Sequence, residues 1–137
     1  MRRDDIPPSL QRRLQQRGTG HAFVQVGQAL LAAGVADRVR FMPGDFYTDA
    51  LPGGADFVWL SAIAHQNSRK QNQALFLKIH DALAPGGTLA IRDIVMDDDR
   101  VNPPGGAMFA VNMLAGTESG GTYSLNEYRE DLKAVGF

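Results

Sequence analysis

The chain contains no cysteine. That excludes a disulfide scaffold, thiolate metal sites and a cysteine nucleophile. Histidine is scarce as well: His21, His65 and His80 are too scattered to suggest a metal cluster. Neither sign of charge dominates, with 14 Lys and Arg against 15 Asp and Glu and a formal net charge of -1. A nucleic-acid footprint is therefore not expected. Long apolar runs are also missing. The longest, residues 57–60 with 62–64 beyond Ser61, is far too short to span a membrane. The N-terminal arginines have no apolar stretch behind them, so no secretory signal is expected and the default location is cytoplasmic.

What is present suits one globular domain. A chain of 137 residues, 44% hydrophobic and 21% charged, can bury about two-thirds of its unfolded surface. Residues 1–20, MRRDDIPPSLQRRLQQRGTG, stand apart as a polar, arginine-rich segment. They read as a solvated helix or a frayed tail. Residues 21–137 read as the domain. The helix formers from about Ala22 to Ala33 lead to Gly34 as a stop.

VRFM (39–42) alternates as a short strand. ADFVWLSAIA (55–64) is a near-continuous apolar run, the pattern of a parallel strand buried on both faces. Ser68 and Gln71 then form a capping-box pair. Leu75, Ile79 and Leu83 follow at spacings of four, an apolar helical stripe. Pro85-Gly86-Gly87 ends that helix, and TLAIRDIV (88–95) reads as the next strand. Strand, helix and strand make a βαβ unit. AMFAVNMLAG (107–116) predicts another helix. Ser124 and Glu127 form a second capping box before a last helix, with Leu125, Tyr128, Leu132 and Val135 as its buried stripe and Gly136 as its stop. The fold class is α/β, with a mostly parallel sheet and flanking helices.

In such sheets ligands bind beyond the carboxyl ends of the strands. That directs attention to Gly44-Asp45-Phe46, to residues 61–67 and to 93–97. Gly44 permits a turn in which the backbone approaches a ligand closely. Asp45 can accept from an exocyclic amine, and Phe46 can stack on a flat base. The plain alternative is a capped turn with a core Phe. His65 ends the apolar strand. Imidazole titrates near neutrality, so it can take a proton from a hydroxyl. Gln66 and Asn67 are neighbouring polar groups able to orient the ring or a substrate. The plain alternative is a satisfied histidine at a strand end. Asp97, Asp98 and Asp99 are consecutive, so their carboxylates diverge and no metal site is expected. Asn112 and Met113 lie on the apolar helix, where Met is more often core than pocket.

Taken in order, these pieces resemble class I S-adenosylmethionine-dependent methyltransferases of the small-molecule O-methyltransferase family. DRVRFMPGDFYTDALPGGADFVWLSAIAHQNS is similar to that family's third and fourth strands. KIHDALAPGGTLAIRDIVMDDDR resembles its fourth helix, Pro-Gly-Gly turn and fifth strand. FAVNMLAGTESGGTYSLNEYREDLKAVGF resembles the helices that follow. The HQNS variant is similar to a bacterial branch. The resemblance covers residues 34–137.

The resemblance implies methyl transfer from S-adenosylmethionine to a small-molecule acceptor, with a hydroxyl oxygen as the accepting atom. It implies that Asp45 and Phe46 contact the adenine and that Ser61 lies beside the cofactor, where many relatives carry lysine. His65 would be the general base. Asn112 and Met113 would line the substrate pocket. Gln66 stands where an aspartate is usual, a departure that bears on substrate orientation or on the base itself. A glycine-rich turn after a first strand is not found upstream of Gly34. The implied fold is thus a partial Rossmann-like methyltransferase fold, truncated at both ends, with the first two and last two strands missing. Unpaired central edges would then leave it marginally stable. Two other readings stay open. One is a non-catalytic fragment or pseudo-enzyme acting as an interaction module. The other is a nicotinamide-dependent oxidoreductase, against which the absence of G-x-G-x-x-G after a strand argues. The expected partner is a small molecule, with no nucleic acid and no membrane. Relatives commonly dimerise, which makes a homodimer a further expectation.

Overall fold

The computed structural model describes residues 29–42 and 44–137. The chain divides into two compact units, Met1–Asp45 and Phe46–Phe137. The expected polar segment 1–20 and the start of the helix expected from Ala22 lie outside the described residues.

In the first unit, residues 29–32 are helical. Gly34 then turns left-handed at φ +67°, and its N–H reaches the Leu31 carbonyl at 3.1 Å. This is the glycine stop that the sequence predicts. A 3-10 turn covers Ala36–Arg38. Residues 39–42 belong to no strand, contrary to expectation. Alternation decides where side chains point, but a strand also requires a neighbour for its backbone groups.

The second unit runs β1 (Ala55–Ser61), α1 (Arg69–Ala82), β2 (Leu83–Arg92), β3 (Val95–Met96), α2 (Pro104–Gly116), β4 (Tyr123–Ser124) and α3 (Leu125–Ala134). β1 and β2 pair in parallel, with Phe57 opposite Thr88 and Ser61 opposite Arg92. With α1 between them they form the expected βαβ unit. β3 and β4 make a second, short parallel pair. Both capping boxes form. The Ser68 side chain accepts from Gln71 N–H while the Gln71 side chain accepts from Ser68 N–H, and Ser124 with Glu127 does the same.

The strand after α1 differs from its predicted span. It starts at Leu83, directly after the helix, and takes in Pro85-Gly86-Gly87. The register slips there: Ala55 faces Leu83, yet Phe57 faces Thr88. The proline-glycine turn is thus an irregularity within the ladder, made possible by Gly86 at φ +78°. β2 ends at Arg92, and Asp93 and Ile94 separate it from β3.

The core is Ala64, Phe76, Tyr123 and Tyr128, fringed by Leu60, Leu89, Ile91, Leu132 and Val135. On α1, Leu75 and Ile79 are buried as predicted, and Phe76 joins them with no exposure. Burial of such a side chain contributes about 1.5–3 kcal/mol. Arg69 fastens α1 to α3. Its Nη2 and Nε donate to both carboxylate oxygens of buried Asp131, at 2.7 and 3.0 Å. That pairing pushes the guanidinium further above its ordinary range, chiefly through Asp131 and then Glu130. Two burial expectations fail. Phe57 and Trp59 of β1 are 54% and 59% exposed, so the strand is covered on one face and not on both. The pleat explains which face: Leu60 points the other way and packs on the core. Leu125 is also exposed, at the first position of α3. Among the described residues, no helix is long and apolar enough to cross a membrane.

Candidate active site

The carboxyl ends of β1 and β2 lie side by side, because Ser61 is paired with Arg92. Each strand is followed by a residue of chemical interest. After β1 the chain turns sharply at Ala62, whose φ of +57° is unusual for a residue with a Cβ. Such a conformation costs about 1–3 kcal/mol and persists only where the surroundings enforce it. Here the Ala62 N–H is tied to the Arg92 carbonyl at 3.0 Å. A 3-10 turn, Ala64–Gln66, then presents His65. After β2 comes Asp93.

The two meet. His65 Nδ1 lies 2.7 Å from Asp93 Oδ1. The His65 backbone N–H also donates to Asp93 Oδ2, at 3.2 Å. Ile94 N–H donates to Asp93 Oδ1 at 2.8 Å. The carboxylate is 3% exposed and the imidazole 13%. A carboxylate only accepts, so the shared proton sits on Nδ1 and leaves the Nε2 lone pair available. Phe109 of α2 closes one side of the ring, edge-on, with centroids 4.9 Å apart. Asp93 thus orients the imidazole, a role the sequence offered to Gln66 and Asn67. The Gln66 amide binds the Ala62 carbonyl instead, at 3.3 Å, and Gln66 is exposed. Asn67 is buried, and its side-chain amide donates to Asn72 Oδ1 at 3.0 Å and not to the imidazole.

Tyr128 packs in the core below this pair. Burial pushes its phenol well above the ordinary tyrosine range, and the Asp93 charge pushes it the same way. Tyr123 is raised too, by burial and then by Glu127.

Ser61 ends β1, half-buried, four residues before His65. Met113 lies one helical turn beyond Phe109, on the face that meets His65, and Asn112 beside it is exposed. Phe46 stacks at a tilt against Tyr47, with centroids 4.3 Å apart. With Gln71, Ala74, Leu75 and Lys78 these rings line a cavity of about 270 Å³. Ser61 and His65 are not among its walls. The segment is nonetheless tied to the His65 turn, since Tyr47 Oη donates to Asn67 Oδ1 at 2.5 Å. Lys78 Nζ holds it from α1 through the carbonyls of Phe46, Tyr47 and Asp49. Gly44 is exposed and Asp45 half-buried, both in the first unit. Ser61, His65 and Gln66 thus follow one another at the end of β1, Met113 is one helical turn from the Phe109 that touches the His65 ring, and Phe46 lines a separate cavity. Among the described residues, no group of His, Asp or Glu side chains gathers to hold a metal ion.

Sequence reasoning flagged the stretch after β2 without pairing Asp93 to His65. The only signal was position: both residues follow a strand at its ligand-binding end. Phe109 carried no signal beyond an apolar helix.

Comparison with known proteins identifies the family and the fold. Residues 21–137 match the family model of the O-methyltransferase domain. The chain is 37% identical over 116 residues to 3-hydroxy-5-methyl-1-naphthoate 3-O-methyltransferase of Streptomyces sahachiroi, covering 85% of this chain and 33% of that protein. The structure of an O-methyltransferase family 2 protein from Planctomyces limnophilus, in complex with apigenin, superimposes with TM-score 0.75 and 31% identity, over 80% of this chain and 32% of that one. Human N-acetylserotonin methyltransferase in complex with SAM superimposes with TM-score 0.68 and 29% identity, over 74% of this chain and 29% of that one. The chain thus spans about a third of the length of the relatives it matches. With parallel strands, flanking helices and a family match from residue 21 to its end, the chain belongs to the O-methyltransferase domain family.

Proposed function

We infer that the protein transfers the methyl group of S-adenosylmethionine to a hydroxyl oxygen of a small molecule, with His65 as general base. The observation that carries this reading is the 2.7 Å contact between His65 and Asp93 at the ends of two adjacent parallel strands. The named activities of the relatives and the SAM-bound human neighbour support it.

The residues present fit part of such a cofactor. Phe46 and Tyr47 offer an aromatic wall beside a cavity of about 270 Å³. Pockets for whole drug-sized ligands span roughly 300–1,000 Å³, so this one suits a portion of the molecule. The Ser61 hydroxyl stands at the end of β1. When bound, S-adenosylmethionine supplies an electrophilic methyl group on a positively charged sulfur.

The chain's own residues supply orientation and proton transfer. Asp93 accepts the hydrogen bond from Nδ1–H and so keeps the proton off Nε2. Nε2 takes the hydroxyl proton as the substrate oxygen attacks, and Asp93 stabilises the imidazolium that forms. Phe109 keeps one side of the ring free of water. Met113, on the α2 face that meets His65, lines the acceptor side, with Asn112 at its exposed edge, and Gln66 contributes a neutral polar group there. The proposed setting is cytoplasmic, without nucleic-acid or membrane partners, and as a homodimer.

Titration of the chain with S-adenosylhomocysteine tests the reading. Binding at tens of micromolar or tighter, about -6 kcal/mol, is expected, followed by turnover that His65→Ala reduces by about 10²–10⁴-fold. A folded chain that takes up no S-adenosylhomocysteine would favour the second reading, an interaction module. The exposed apolar side chains Phe57, Trp59, Met108, Val111 and Leu114 are the observation behind that alternative.

A further inference from the structure

His65 rides on a three-residue 3-10 turn. So short a turn has few bonds of its own, and its orientation is set from outside. A buried polar network does this. On α1, Asn72 Nδ2 donates to the Ala64 carbonyl at 3.0 Å. Asn72 Oδ1 accepts from Asn67 Nδ2, also at 3.0 Å. From β4, the Tyr123 hydroxyl donates to the Asn67 carbonyl. On the far side, Gly121 N–H donates to the His65 carbonyl at 2.9 Å. Asn67 and Asn72 are each 1% exposed.

Two amides in an apolar core are unfavourable unless all their polar atoms find partners. A pair of aliphatic side chains would fill the same space without desolvation. What the amides add is direction. Asn72 grips the residue before His65 through its donor and the residue two after it through its acceptor. We propose that Asn72 is a positioning residue for His65, holding the turn so that the imidazole meets Asp93 on one side and Phe109 on another. Its importance for methyl transfer rests on His65 being the base. Its effect on the ring does not.

The test therefore reads the ring and not turnover. Nitrogen NMR of the 137-residue chain reports which ring nitrogen of His65 carries the proton, and hydrogen exchange reports the His65 and Gly121 amides. In Asn72→Asp the carboxylate still accepts from Asn67 but cannot donate to Ala64. The expected result is exchange at His65 and Gly121 about tenfold faster than in the wild type. Exchange at Ile79 and Tyr128 stays as it was, and the Nδ1-protonated ring population falls. Tyr123→Phe removes only the hydroxyl that holds Asn67, and should move the same reporters the same way. It replaces Asn72→Asp if that variant does not fold. A folded variant with a lower melting temperature but an unchanged His65 ring and unchanged exchange would overturn the proposal, since Asn72 would then be structural only. Titration of the wild type with S-adenosylhomocysteine separately decides the methyl-transfer reading, and its failure leaves the ring result readable.

Discussion

Asp93→Asn is the most informative single change, because the structure dictates how the amide must sit. Three N–H groups converge on the carboxylate: His65 Nδ1 at 2.7 Å and Ile94 N at 2.8 Å on Oδ1, and His65 N at 3.2 Å on Oδ2. An Asn amide has only one oxygen. Placed at Oδ1 it keeps the two shorter bonds and sets its NH₂ against the His65 N–H. That buried donor then goes unsatisfied, at about 1–3 kcal/mol. The two surviving bonds lose their charge, roughly 1 kcal/mol each. The sum is a destabilisation of about 3–5 kcal/mol, read by urea denaturation. Placed the other way, the amide donates to Nδ1 and drives the proton to Nε2, abolishing the base. The His65 nitrogen shifts tell the two placements apart. In either case turnover falls, since the imidazolium loses its counter-charge. A variant within about 0.5 kcal/mol of wild type, with an unchanged His65 ring, would refute the pairing.

Three other outcomes follow from the same geometry. Phe76→Ala empties the centre of the core, where Phe76 has no exposure, and should cost about 3–5 kcal/mol in denaturant unfolding; a loss under about 1 kcal/mol would mean the core is centred elsewhere. Gly120→Ala should cost about 1–3 kcal/mol and speed exchange at the His65 amide. Its Cβ would lie 2.5 Å from Thr117 Oγ1 and overlap the His65 carbonyl oxygen, a backbone atom that cannot swing aside. Wild-type stability there would show that the loop relaxes. The third outcome concerns alkaline pH. Tyr128 and Tyr123 are raised in the folded state, first by burial. The unfolded chain therefore releases their protons first, so stability is intact below about pH 10 and declines as pH rises beyond it. Each tyrosine contributes a slope of at most about 1.4 kcal/mol per pH unit. Urea midpoints that stay flat across that range, or a Tyr128→Phe variant as alkali-sensitive as wild type, would contradict this.

Local features were legible in the sequence. Ser68 with Gln71 and Ser124 with Glu127 mark two helix starts, because a capping box is closed by residues three apart and needs nothing distant. Gly34 and Gly136 mark two helix ends for the same reason, each at positive φ. The apolar run at 55–64 contains a parallel strand, though it ends at Ser61, and the order of segments led to the family that residues 21–137 match. Burial was less legible. Trp59 is apolar whether a neighbouring layer covers it or not, so composition overstated how enclosed β1 is.

What the sequence determined by itself was the β1–α1–β2 unit, the two helices that follow it, their order and His65 as the residue to inspect. Only the tertiary structure decided its partner. His65 and Asp93 lie 28 residues apart, and the register of β1 against β2 is what brings their strand ends level. The same holds for Asn72 and Tyr123, which reach the His65 turn from a helix and a strand that pattern and propensity treat separately. Periodicity reports which face of an element is apolar; it contains no distance between elements, and hydrogen bonds are decided by distance.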